Sequence, residues 1–258
     1  MKARNQHLVG VCVNRIGTEA SIARRLIAVL VCLVGVFLLA LSAPRVVAYA
    51  YLAGVPSRVI DALNTGRQVG AAKLVEAHDA YLKAHSVLPD DSVILQNLGR
   101  LELRRADELR QAGDKSDEAW MSASKYFRAS IEAAPARSFP WSLEAYVRSQ
   151  SMASPDEMNG LLRMSYFLGP HEASSILLRA RVGTGIWDHL DEDVRQFTSN
   201  DLEEIWHDGR LRSAIVPIYL DASIPTRSAI RKLILTDSGS EQRFNQMLKR
   251  ALAPLKRS

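Results

Sequence analysis

The sequence predicts an all-α protein, with one N-terminal transmembrane helix followed by a domain of packed helix pairs. Three observations carry this. Residues Leu26 to Ala43 run for eighteen positions without a charge. As a helix such a run is about 27 Å long, close to the hydrocarbon thickness of a bilayer. Apolar residues recur at helical spacing from residue 57 to the end, while the alternation of a half-buried strand is nearly absent. Proline, glycine and capping residues cut that periodicity into segments of helix length.

Lys2, Arg4, Arg15, Arg24 and Arg25 precede the apolar run, against one acid, Glu19, so residues 1–25 carry +4 of the chain's net +5. The basic excess is therefore an anchor signal, and no nucleic-acid partner is expected. The positive-inside rule keeps residues 1–25 in the cytoplasm and exports the rest, although Arg45, Arg58 and Arg67 oppose that bias. The expected segments are 1–25 as a cytoplasmic N-terminal stretch, 26–52 as the anchor and its outer flank, and 57–258 as the helical domain. Tyr49 and Tyr51 suit the outer interface, where aromatic rings settle at headgroup level.

A cleaved signal peptide is the competing reading. The run exceeds the roughly 7–15 residues of a signal h-region, and Pro44 would follow a cut after Ala43. Ala48-Tyr49-Ala50 offers a small-x-small site and leaves cleavage open. Val31 before Cys32 and Val11 before Cys12 are the wrong size for lipid attachment. Both cysteines lie before or inside the span, so the exported part can contain neither a disulfide, a thiolate metal site nor a thiol nucleophile.

Along the domain, Pro56-Ser57 marks a break, with Ser57 as N-cap for 58–64, and Gly66 and Gly70 loosen the chain. A helix carrying Leu74, Ala77, Ala80 and Tyr81 stops before Pro89. Asp90-Asp91-Ser92 opens the next, with Leu95, Leu98 and Leu101 on its apolar side, and Gly113-Asp114 turns the chain. Asp117 or Ser116 caps a helix through Ala133, and Pro135 ends it. Another runs from Ser138 to about Ser151. Ser154-Pro155-Asp156-Glu157 is an N-cap, a first-turn proline and early acids, and Gly169-Pro170 closes that helix. Further helices are expected at about 171–184, 191–206, 208–222, 225–236 and 240–253.

Pro135 and Pro170 end helices 35 residues apart, near the 34-residue period of tetratricopeptide repeats. Leu95, Leu98 and Gly99 match the first helix of that motif, and Ala123, Phe127, Ser130 and Pro135 match the second. Small residues let paired helices approach, the aromatic fills the gap, and proline stops the second helix. About twelve extra residues between the halves require longer helices than usual. A second unit fits less well: Trp141, Ala145, Leu162, Ser165 and Pro170 match, while Glu144 stands where the motif wants Leu. The domain thus resembles a tetratricopeptide-like α-solenoid, one degenerate repeat and one decayed one over about 92–170.

Beyond it lies an ordered series: Gly169-Pro170-His171-Glu172, Leu177-Leu178-Arg179-Ala180-Arg181, Gly185-Ile186-Trp187-Asp188, Leu190, Val194-Arg195 and Ile205-Trp206. With the anchor and the repeats, this layout over about 90–220 resembles membrane-anchored tetratricopeptide-like proteins of bacterial exopolysaccharide biosynthesis systems. The resemblance implies an inner-membrane, single-pass protein with a periplasmic domain and an accessory role in polysaccharide assembly or export. It implies nothing about chemistry.

No constellation of catalytic type stands out. Glu204 and His207 form a Glu-x-x-His pair, but a helical di-metal site needs a second copy and none exists. The pair reads as a helix-end surface pair. His78 and His85 lie two turns apart, too far for one metal. His171-Glu172 is first-turn chemistry, and His189 with Asp188, Asp191 and Asp193 reads as an N-cap cluster rather than an acid–base group. No nucleophile elbow or phosphate loop occurs, and no strands are available for a nucleotide-sugar sheet. Trp120, Trp141, Trp187 and Trp206 read as core, with Trp141 at a helix start the best placed for an exposed ring.

The expectation is a non-enzymatic scaffold without cofactor or metal. Its partners would be proteins of an envelope or polysaccharide-synthesis complex, the membrane, and polysaccharide as a further candidate. Two alternatives are a general envelope scaffold in division, cytochrome maturation or outer-membrane assembly, and a direct polysaccharide-binding module.

Overall fold

In the computed structural model the described residues are 3–56, 59–60, 63, 69–151 and 153–253, with side chains from Ile27 onward. Among these there is no strand. The helices are α1 Ala3–Leu52, α2 Ala71–Val87, α3 Ser92–Ala112, α4 Asp117–Ala133, α5 Ser138–Gln150, α6 Pro155–Leu168, α7 Ala173–Gly185, α8 Glu192–His207, α9 Ile215–Asp221, α10 Ile224–Ile234 and α11 Ser238–Leu252. Short 3-10 turns at Trp187–His189 and Arg212–Ala214 precede α8 and α9. The expected cap at Ser57, residues 58, 61, 62 and 64 of its helix, and Gly66 lie outside the described residues, while Val59, Ile60 and Leu63 are helical.

α1 passes unbroken through Pro44. Its stretch Ile27–Leu52, 26 residues, is long and apolar enough to cross a membrane. Side chains from Ile27 to Val47 are exposed, and Ala48 is the first that is fully buried. Ala48 and Leu52 join Ala77, Tyr81, Ala84, Ile94, Leu98 and Leu101 in a cluster that binds α1 to α2 and α3.

Capping chemistry sets several helix starts. Asp91 Oδ1 accepts the backbone N–H groups of Val93 and Ile94 (3.0 and 3.1 Å), and Ser154 Oγ accepts that of Glu157 (3.2 Å). Gly113 ends α3 in the left-handed region, φ 79°, where a side chain would be strained. Ser116 stands at the N-cap position of α4 without capping it; its hydroxyl instead accepts the Trp120 indole N–H at 3.2 Å. The single helix expected over 208–222 is a 3-10 turn followed by α9. Pro217 sits in the first turn of α9, where its missing N–H costs no helical hydrogen bond.

Consecutive helices form three antiparallel hairpins, α3–α4, α5–α6 and α7–α8, and α5 also packs on α7 and α6 on α8. In the first hairpin Gly99 faces the Phe127 ring: a Cβ there would lie 2.5 Å from Cε1. In the third, a Cβ on Gly183 would lie 2.5 Å from Thr198 Oγ1. Both glycines therefore set a close helix–helix approach. The hairpin that brings Gly99 to Phe127 is built from two long helices, α3 with 21 residues and α4 with 17.

Candidate functional site

A depression of about 600 Å³ lies between α4 and the C-terminal end of α5. Trp120 and Val147 are its buried floor, while Met121, 67% exposed, stands on the rim. Trp120 is held by Ser116 and by the guanidinium of Arg110, 5.7 Å above its ring, and the Tyr146 ring lies 6.3 Å away. The apolar floor is thus a fixed surface.

One wall of the depression is charged and internally neutralised. Arg128 donates to Glu144 Oε1 (2.8 Å) and Glu157 Oε1 (3.2 Å), and Arg148 donates to both oxygens of Glu157 (2.8 and 2.9 Å). The Arg148 hydrogen bonds hold the Glu157 carboxyl below its usual range. Glu144, placed where the repeat motif has Leu, is buried, and its Oε1 also accepts from Ser124 at 2.8 Å. These bonds compensate one oxygen; Oε2 is buried without a hydrogen bond.

A smaller cleft, about 320 Å³, opens between α2 and α3 and is lined by Leu74, Val75, His78, Leu101, Arg105 and Glu108. His78 Nε2 lies 2.8 Å from Glu102 Oε1. His85 is elsewhere on α2, edge-on to the Tyr126 ring at 6.1 Å. The two histidines serve separate packing contacts.

The remaining sequence-selected residues are dispersed. His207 ends α8, whereas Glu204 faces His171 across 3.7 Å. Asp191 occupies the N-cap position of α8, but its carboxylate makes no cap. Arg163 of α6 takes it instead, at 2.7 Å, together with Asp193 at 2.6 Å. Those bonds hold the Asp193 carboxyl down at about 2. The carbonyl of His189 accepts from Asn159 Nδ2 at 2.9 Å. Trp141 is half-buried with its indole N–H on the Pro135 carbonyl, 3.0 Å away. Trp206 is core, and Trp187 is partly buried against two hydrophobic clusters. Among the described residues no group of three or more His, Cys, Asp or Glu is arranged to hold a metal ion.

Sequence reasoning missed the role of Arg179. It is fully buried, and Nε and Nη2 both bond Asp201 at 3.0 Å. It also donates to the Gly169 and Pro170 carbonyls (2.7 and 2.8 Å) and stacks 4.4 Å from the Tyr166 ring. Burial pushes the Asp201 carboxyl up to about 6 against the pull of Arg179. The signal was an arginine inside the otherwise apolar face of α7, but its partners lie on other helices. The Gly-Pro and Leu-Leu-Arg-Ala segments are therefore internal joinery between the second and third hairpins.

No family model, no curated protein and no solved structure matches this chain.

Proposed function

We propose that this protein is a membrane-anchored, tetratricopeptide-like scaffold that assists exopolysaccharide assembly or export by binding other proteins. The observation that carries the reading is the union of two surfaces in one continuous helix. α1 offers an exposed apolar run of bilayer length and then, from Ala48, becomes part of the core of the helical domain. Tethering of this kind raises the effective concentration of whatever the domain holds.

The repeat character is supported by the paired packing of α3 to α8 and by the glycine-mediated approaches at Gly99 and Gly183. Such stacks present grooves to peptides or protein surfaces, and the Trp120–Met121 depression, about 600 Å³, is one such surface. The polysaccharide context rests on the ordered residue series from Gly169 to Trp206. Orientation with the domain in the periplasm rests on the basic flank before the span.

Deletion of the encoding gene is expected to reduce polymer yield or alter its chain length, with re-expression of the full chain restoring both. Unchanged polymer in the deletion strain rejects the polysaccharide role. Defects confined to division or outer-membrane assembly would favour the general envelope scaffold.

A further inference from the structure

The joint between α1 and the domain fixes which edge of the helix stack meets the bilayer. The uncharged run Leu26–Ala43 is about 27 Å of helix, against a hydrocarbon core of about 30 Å, and the side chains described from Ile27 stay exposed as far as Val47. Ala48 is already buried in protein, so no flexible spacer separates span from domain. Arg45, exposed, sits at the end of the span, where a long cationic side chain reaches headgroup level.

One residue after the first buried position, the Tyr49 hydroxyl donates to Asp91 Oδ2 at 3.3 Å. Asp91 starts α3, so the first residues beyond the span touch the α2–α3 loop. A seam of hydrogen bonds continues from there. Ser92 accepts from Ser130 Oγ through its carbonyl (2.8 Å) and from Arg137 through its hydroxyl (2.9 Å), joining the α4–α5 loop. Ser138 then bonds Glu172, and Arg179 bonds the Gly169 and Pro170 carbonyls, joining the α6–α7 loop. These three loops form one edge. At the opposite edge Arg110, near the end of α3, donates to Gln150 at the end of α5, 2.8 Å away. The seam edge also carries Phe167, 80% exposed in the last turn of α6, a large apolar side chain without a protein neighbour to cover it.

We propose that the edge formed by the α2–α3, α4–α5 and α6–α7 loops lies against the headgroup layer on the side where α1 ends, with Phe167 entering the interface. The proposal rests on α1 spanning the membrane. It makes the lipid surface a second partner of the domain and leaves the opposite edge, with the Trp120–Met121 depression near it, facing away from the bilayer.

The test uses the full chain with Cys12 and Cys32 replaced by Ser, reconstituted in phosphatidylethanolamine–phosphatidylglycerol nanodiscs that contain headgroup-nitroxide lipid. Single fluorophores are placed through Asp90→Cys, Ala136→Cys and Phe167→Cys on the seam edge, and through Lys115→Cys and Ser151→Cys on the other; all five positions are exposed. The seam-edge labels are expected to lose fluorescence to the nitroxide, and the other two to keep it. Equal quenching at both edges, or stronger quenching at residues 115 and 151, overturns the proposal. Leu38→Cys with an acyl-chain nitroxide separates the two layers of the argument. Quenching there with unquenched seam labels rejects the edge and keeps the anchor; no quenching there rejects the anchor and the edge with it.

Discussion

The Phe127 ring occupies the volume that a side chain on Gly99 would need, its Cε1 standing 2.5 Å from the Cβ position. Phe127 is fully buried and cannot swing aside. Gly99→Ala should therefore force α3 and α4 apart and cost about 1–3 kcal/mol, the range for overpacking a filled core. Phe127→Ala should cost about 3–5 kcal/mol through the cavity it leaves. In the double variant the alanine at 99 has room, so the two losses should be less than additive in urea unfolding followed by circular dichroism.

The Arg179–Asp201 pair should behave as a buried ion pair of structural importance. Asp201→Ala takes away both oxygens to which the buried Arg179 guanidinium donates, at an expected cost of about 3–5 kcal/mol. Replacing both residues by apolar side chains should restore part of that loss. Full additivity of the two single variants would show that the pair is not coupled.

Two carboxylates on α8 should give opposite pH dependences. Asp193, held down at about 2 by Arg163, contributes stability that is present above about pH 4 and lost as pH falls toward 2. Because both groups are exposed, that contribution should be under about 1 kcal/mol. Asp201, raised to about 6, binds its proton more tightly in the folded chain, so stability should decline as pH rises from about 4 to about 6. Asp193→Asn should flatten the first slope and leave the second, as read from unfolding midpoints across pH.

A charge in the middle of α1 should release the protein. Leu38→Arg places a guanidinium near the centre of the exposed apolar run, at a cost of about 2.5–3.5 kcal/mol on insertion scales. Alkaline carbonate extraction should find more of the variant in the soluble fraction. Equal retention would argue against a lipid-embedded helix.

The depression between α4 and α5 should be separable from stability. Met121 is exposed on its rim, so Met121→Glu should alter unfolding by no more than about 0.5 kcal/mol. It should nevertheless weaken recovery of crosslinked envelope partners relative to the unaltered chain. Undiminished recovery would move the partner surface elsewhere.

How far the sequence disclosed this structure depended on whether a feature is local. The caps at Asp91 and Ser154 and the stop at Gly169-Pro170 are written in adjacent residues, and the helices start and end there. Gly99 and Phe127 stood out in the sequence as a small residue and an aromatic on successive helices, and the structure brings them into contact. The third hairpin did not stand out: Thr198 takes the place of the aromatic opposite Gly183, and no pattern links them. Asp191 and Ser116 have capping chemistry, yet Arg163 and Trp120 compete for their oxygens from other positions. Glu144 is legible only once Ser124 and Arg128 are seen beside it.

The three hydrophobic clusters follow the chain in order, one from Ala48 to Leu101, one from Ala106 to Val194 and one from Ile176 to Phe244. Each is built from near neighbours in sequence, so little loop-closure entropy opposes its formation. During synthesis the earliest hairpins can close before the last residues have left the ribosome, and the growing chain never has to hold much oily surface open while it waits.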